Sequence, residues 1–449
     1  MKRRRTQWLG AIVLGVCLAG CHADTATDET DAGAEPAAEY TDRTLVVWYD
    51  TGGKEKLEDI LWEFEIDDPE ITVTTEDYSD LPTHEYRVLL EDAIRSGGGT
   101  DVIVSSSDRH ELLQDMDGMI CDGCFLALDT LGVDLSACNA AALRMGYTEN
   151  AQYLLPLNYG MGFLLTTEER ISQYGIVCGG TLEEFASSLA AAYADGKLVF
   201  SDSIHTGYLF RRQGQELVSA RQDEVFPEQL RLLADCYDRL YPEIFVGDKF
   251  TMYQTYAYSD TDALDAFLSG ELLFLGGGWC SDRYDNLQWI ADVSRALVRR
   301  GETPYLTLLP TADGSAPAPN PGWYLMVNAN TENRDAAACF LQETISMRVQ
   351  YKCFSDDGIP VNTVLMDSMR EHYSDIPAED FYSFTDGGAL TQDMVSFYFD
   401  TLDAMPDGIF SDTITGGQIH GIFRSYLTGS PFDEAFDVGM DAIFGETQS

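Results

Sequence analysis

Thr44-Leu-Val-Val-Trp48, Ile71-Thr-Val-Thr-Thr75 and Asp101-Val-Ile-Val-Ser105 are three short segments of strand character, and the residues between them decide the fold. The turn Asp50-Thr-Gly-Gly53 follows the first. Leu57, Ile60, Leu61 and Phe64 then fall at i, i+3, i+4 and i+7, which is one face of a helix. After the second strand, Tyr86, Leu89, Leu90 and Ala93 repeat that spacing, and Gly97-Gly-Gly99 stops the helix. Strands joined by helical crossovers of this length pair in parallel, so the β-α-β-α-β run predicts an open α/β sheet.

The pattern restarts downstream. Leu154-Leu-Pro-Leu157 runs into Asn158-Tyr-Gly-Met-Gly162, and Thr181-Leu-Glu-Glu184 is a capping box opening a helix with Leu182, Phe185, Leu189 and Ala192 on one face. Lys197 to Phe200, Leu272 to Gly276, Tyr305 to Leu309 and Tyr324 to Asn328 read as strands. Gln229 to Tyr241, the stretch around Leu264, Phe267 and Leu268 that Gly270 stops, and Ala336 to Met347 read as helices. Two α/β lobes are expected, the second richer in helices. No internal repeat is visible.

Composition fits this and removes several functions. A chain of 449 residues has room for two or three domains, and 45% hydrophobic residues suffice for a core despite a formal charge of −47. Phosphate backbones demand clustered cations, and 6 Lys and 22 Arg are spread thinly against 75 acids. Nucleic-acid binding is therefore excluded as an expectation, and docking on an anionic membrane through a basic surface is disfavoured.

Met1-Lys-Arg-Arg-Arg5, the apolar run from Trp8 to Ala19 and Gly20-Cys21 form an export signal over residues 1–20. The run is too short to span about 30 Å of hydrocarbon. Its end, Leu18-Ala-Gly-Cys21, is similar to the bacterial lipobox, which implies lipidation of Cys21 and anchoring on the outer side of the cell membrane. Without the signal, 24 cations face 75 acids, a net −51. Residues 21–42 hold no large aliphatic side chain and read as a flexible acidic tether reaching roughly 25 Å.

Eight cysteines remain: Cys121, Cys124, Cys138, Cys178, Cys236, Cys280, Cys339 and Cys353. An exported even set permits disulfides. Cys121-Asp-Gly-Cys124 is a C-x-x-C without a second pair, so a local disulfide or plain buried thiols fit better than zinc or redox chemistry. Cys236 and Cys339 fall inside apolar helical patterns and read as small hydrophobes. The six histidines never reach metal-ligand spacing, and neither glycine triplet carries the Lys-Ser/Thr of a phosphate loop. With 75 acids, any pair could be named catalytic, so that signal carries nothing. No catalytic motif, cofactor or metal is expected, and the chain reads as no enzyme.

In order, these segments resemble the extracellular solute-binding proteins of bacterial ABC importers, in particular the sugar-binding family 1 group. The matching pieces are Leu45-Val-Val-Trp48, the "PDV" strand as Thr100-Asp-Val-Ile-Val104, and the hinge segment Leu154 to Gly162, where Leu165-Thr-Thr167 replaces the usual Tyr-Asn-Lys. Tyr174-Gly-Ile176 with Thr181 to Phe185, Ala266 to Glu271 leading to Gly277-Gly-Trp279, Pro321-Gly-Trp-Tyr324 with Asp335 to Leu341, and Asp357-Gly-Ile-Pro-Val-Asn362 continue the series.

The resemblance implies a periplasmic-binding-protein-like α/β fold, two lobes joined by a multi-strand hinge with the ligand cleft between them. Hinge crossings are expected near Asn158, Leu309 and Val327. That gives an N-terminal lobe of 43–157 plus 310–325 and a C-terminal lobe of 158–309 plus 326–449. The implied function is capture of a sugar or oligosaccharide by hinge closure and delivery to the transmembrane subunits of an ABC permease, by a monomer. Sugars present hydroxyls to planar polar groups and C–H faces to aromatic rings. The strand ends and hinge offer Trp48, Tyr49, Asp50, Ser107, Asp108, Asn158, Tyr159, Trp279 and Trp323 for that task. Trp48 ends an apolar strand and also reads as core, and Asp108 also reads as a helix N-cap. Asp50 and Asp108 beside aromatic rings would equally suit a polyamine. A secreted glycan hydrolase is the alternative from another class.

Overall fold

The computed structural model describes residues 43–49, 54–67, 70–106, 116–148, 150–200, 213–218, 226–240, 245–246, 249–250, 260–276, 285–355, 357–374, 390–408 and 413–444. Strand β1 (Arg43–Tyr49), helix α1 (Lys54–Asp67), β2 (Ile71–Asp77), α2 (Thr83–Arg95) and β3 (Val102–Ser106) realise the expected β-α-β-α-β run. β1 pairs in parallel with β2 along its whole length and with β3 at Val47 and Trp48. Then come β4 (Leu155–Pro156), β5 (Asn158–Gly160), β6 (Phe163–Thr167), β7 (Leu275–Gly276), β8 (Pro304–Leu308), β9 (Asn320–Pro321), β10 (Trp323–Val327) and β11 (Ile359–Pro360).

Three sheets organise the site. The first has the order β2-β1-β3-β10-β4, with β10 antiparallel to both β3 and β4. Alternation along β1 and β3 divides its side chains between two layers. Leu45, Val47, Val102 and Val104 pack with Leu57, Ile60 and Phe64 of α1, whereas Trp48 and Ile103 pack with Tyr86, Leu90 and Ile94 of α2. The expected stripe on α2 is corrected by one position: Leu89 is exposed and Ile94 is buried. The helix follows i, i+4, i+8, so its contact line drifts away from Leu89.

The second sheet, β7-β6-β8, is antiparallel, and all five residues of β6 are buried. Thr181 forms the expected capping box with Glu184, and Leu182, Phe185, Leu189 and Ala192 are buried. Among the described residues Lys197–Phe200 forms no ladder: Leu198 makes a single parallel bridge to Leu272. Gly276, at φ +103°, is the last described residue of β7. The helix expected over 336–347 runs Arg334–Thr344 and is then broken, because Ser346 accepts the N–H of Val349 and caps a new turn. This segment packs against α1 and β1.

The third sheet, β9-β5-β11, is small, and its strands come from three distant parts of the chain. Its middle strand β5 continues directly from β4 of the first sheet and leads into β6 of the second. Among the described residues no helix is long and apolar enough to cross a membrane. Cys121, Cys138, Cys178 and Cys236 are free thiols, and burial pushes that of Cys138 up to about 12. The expected signal, Cys21 and the tether lie outside the described residues, as does Cys280.

Candidate functional site

The carboxyl ends of β1, β2 and β3 share one edge of the first sheet. Tyr49 ends β1 opposite Asp77, and Ser106 ends β3 opposite Trp323, the first residue of β10. β4 runs antiparallel to β10, so Asn158 and Tyr159 leave the sheet at the same edge. Crevices beyond the carboxyl ends of strands are where open α/β sheets bind ligands.

Asn158 is fully buried and holds this corner together. Its Oδ1 accepts the backbone N–H of Trp323 at 2.6 Å, its Nδ2 donates to the carbonyl of Asp357 at 2.6 Å, and its own carbonyl accepts from Gly322 at 2.9 Å. Trp323 Nε1 donates to Asp357 Oδ2 at 3.2 Å, and Lys56 Nζ lies 3.1 Å from that same oxygen. Lys56 also donates to the carbonyl of Cys353 and sits over the Phe354 ring, 5.5 Å from its centroid. Tyr159 is buried in β5, and burial, with Asp403 adding, pushes its phenol well above the usual range.

A second anchor holds the link from β5 to β6. The buried carboxylate of Asp285 accepts three successive backbone N–H groups, Met161 at 2.9 Å, Gly162 at 3.2 Å and Phe163 at 2.7 Å. Burial pushes its carboxyl up to about 7, against the opposing pull of those three donors. Tyr398 donates to the Asp285 carbonyl at 2.8 Å. The neighbouring Asn286 caps helix Leu287–Arg299 through Trp289 N–H, and its Nδ2 donates to the Ser355 carbonyl at 2.6 Å. Asp285 and Asn286 thus tie the segments before β6 and before β11 to one helix end.

The structure brings Asn158, Tyr159 and Trp323 together and sets Trp48 apart. Trp48 points to the α2 layer, its ring 4.9 Å from Tyr78, which stacks on Tyr86 at 5.1 Å. Its Nε1 is buried with no hydrogen-bond partner among the described residues. Tyr49 points to the opposite, α1 layer. Asp50, Ser107, Asp108 and Trp279 lie outside the described residues. Sequence reading missed Lys56, Asp285 and Asn286 as parts of this corner, and saw Asp357 only as the head of a motif. No group of three or more His, Cys, Asp or Glu among the described residues is arranged to hold a metal ion.

At this corner polar and aromatic groups at a strand edge stand beside strands that pass from one sheet to another. That is the plan of a two-lobed solute-binding protein. The model of the bacterial extracellular solute-binding proteins matches residues 50–350, and the chain belongs to that family. Three solved structures share the fold. The GacH receptor of Streptomyces glaucescens GLA.O, solved unliganded and with acarbose, is 18% identical with a TM-score of 0.57, over 90% of this chain and 97% of that one. A family 1 solute-binding protein from Alicyclobacillus acidocaldarius is 16% identical with a TM-score of 0.54, over 89% and 97%. An ABC-transporter solute-binding protein from Thermotoga lettingae, bound to α-D-tagatose, is 14% identical with a TM-score of 0.56, over 88% and 97%. No curated protein matches. The fold is periplasmic-binding-protein-like, two α/β lobes on a multi-strand hinge, and the chain is a bacterial extracellular solute-binding protein.

Proposed function

We propose that this protein captures an extracellular sugar or oligosaccharide in the cleft beside Asn158 and Trp323 and delivers it to an ABC permease. One observation carries the reading: the Trp323 indole, fixed through Asn158 and Asp357, stands where the parallel strands end and the chain crosses between sheets. Planar amides suit sugar hydroxyls and aromatic rings suit C–H faces. Solved relatives that bind acarbose or tagatose support it. Asp50, Ser107, Asp108 and Trp279 complete the proposed contact set. The strands Asn158–Gly160, Asn320–Pro321 and Ile359–Pro360 serve as hinge crossings, with the helices of 334–354 belonging to the first lobe. Export, lipidation at Cys21 and a monomeric state complete the proposal.

Thermal scanning of the mature protein against sugars and polyamines tests it. A ligand at a hundredfold excess over its Kd adds about 2.7 kcal/mol. A rise in Tm with acarbose, tagatose or a xylo-oligosaccharide is expected. A shift with spermidine alone would replace the sugar by a cation, and sugar release from a glycan would replace binding by hydrolysis. Detergent-phase partitioning of the cell-expressed protein, lost in Cys21→Ala, checks the anchor.

A further inference from the structure

Trp323 is fixed at two points. Asn158 Oδ1 holds its backbone N–H, and Asp357 Oδ2 takes its indole N–H at 3.2 Å. Asp357 is itself fixed, because Asn158 Nδ2 donates to its carbonyl and Lys56 Nζ shares its Oδ2. The ammonium makes that half-buried carboxylate a stable acceptor, since an opposite charge within 4 Å offsets lost hydration. An indole N–H donated to Asp357 is not offered to a ligand. What is left for contact is the rest of the residue, of which 8% remains open.

We propose that Asp357 is a positioning residue of the ligand site, holding the Trp323 indole so that it presents its ring face, and not its N–H, to a bound solute. The solute class this selects at that position is a pyranoside with an uninterrupted C–H face. The role rests on the reading above that Trp323 borders the cleft. Asn286 supports the same loop from the other side by donating to the Ser355 carbonyl, so the acceptor stays in place when the ring is loaded.

The test compares Asp357→Ala, which removes the acceptor, with Asp357→Asn, whose side-chain oxygen still accepts. In ¹⁵N-tryptophan-labelled full-length mature protein without ligand, the Trp323 indole resonance is assigned by its loss in Trp323→Phe. In Asp357→Ala that resonance is expected to move and its hydrogen exchange to quicken at least tenfold. In Asp357→Asn exchange stays within twofold of the parent. With acarbose as probe, Asp357→Ala is expected to bind at least fivefold more weakly and Asp357→Asn within twofold. A merely structural Asp357 would give equal losses of Tm in both variants with the indole resonance and affinity unmoved, and that result overturns the proposal. Should Asp357→Ala not fold, Asp357→Ser, too short to reach the indole, replaces it with the same expectations. If no sugar binds the parent protein, the sugar reading fails by itself, and the indole exchange alone upholds or overturns the positioning by Asp357.

Discussion

Trp48 and Trp323 stand in the same sheet, both at the edge where the parallel strands end, and both are 8% exposed. Their neighbourhoods differ in kind. Trp48 lies in the α2 layer among Tyr78, Tyr86 and Leu90, with a buried indole N–H that meets no partner among the described residues. Trp323 lies in the α1 layer with both of its N–H groups donated, one to Asn158 and one to Asp357. Equal burial therefore hides two roles. One ring fills space, and the other is held in a chosen orientation at the place where the chain crosses between sheets.

The largest expected effect breaks the comparison open. Trp48→Ala should lose about 4 kcal/mol of stability, the usual cost of deleting a buried aromatic, in urea unfolding, with ligand affinity within twofold of the parent. A large loss of affinity without loss of stability would move Trp48 into the site. Asn158→Ala leaves the Trp323 N–H and the Asp357 carbonyl unpaired in the interior, for about 3 kcal/mol, and here affinity should fall as well.

Asp285 sharpens the contrast through pH. Its carboxyl titrates near 4 in the unfolded chain and at about 7 when buried. The folded state therefore binds more protons between those values, and stability from this group grows as pH falls and is lost as pH rises through about 7. Relative to Asp285→Asn, the parent should gain about 3 kcal/mol between pH 8 and pH 5 in paired urea titrations. An identical pH dependence in the two proteins would show that the carboxyl stays ionised against its three N–H donors. The smallest effect is Trp48→Phe, which removes the partnerless N–H and should change stability by no more than about 1 kcal/mol in either direction.

Much of the fold was legible, and the reason differs from place to place. The β-α-β-α-β run could be read because its periodicities of 2 and 3.6 follow from local backbone geometry. The capping box at Thr181 was readable for the same local reason. Leu89 was misassigned because spacing alone does not fix the angle at which a helix crosses a sheet. Lys197–Phe200 carries strand-like residues, and among the described residues its pairing with 271–274 amounts to one bridge, an extent that only the tertiary arrangement decides. Of the candidate site, Asn158, Tyr159 and Trp323 were marked by motif and position. Asp285 and Asp357 are two acids among 75, and nothing local distinguishes the one that accepts three backbone N–H groups or the one that receives an indole.

By itself, the sequence determined the parallel β-α-β-α-β part of the first sheet, the restart that makes a second lobe, and the family, because each rests on local periodicity or on an ordered set of short motifs. Only the tertiary structure decided which strands cross between the sheets, that Trp48 and Trp323 face opposite layers, and that Lys56, Asn158 and Asp357 meet at one corner. Lys56 and Asp357 are 301 residues apart in the chain and 3.1 Å apart in space. Distances of that kind are set by how helices and strands pack on one another, and no spacing along the chain encodes them.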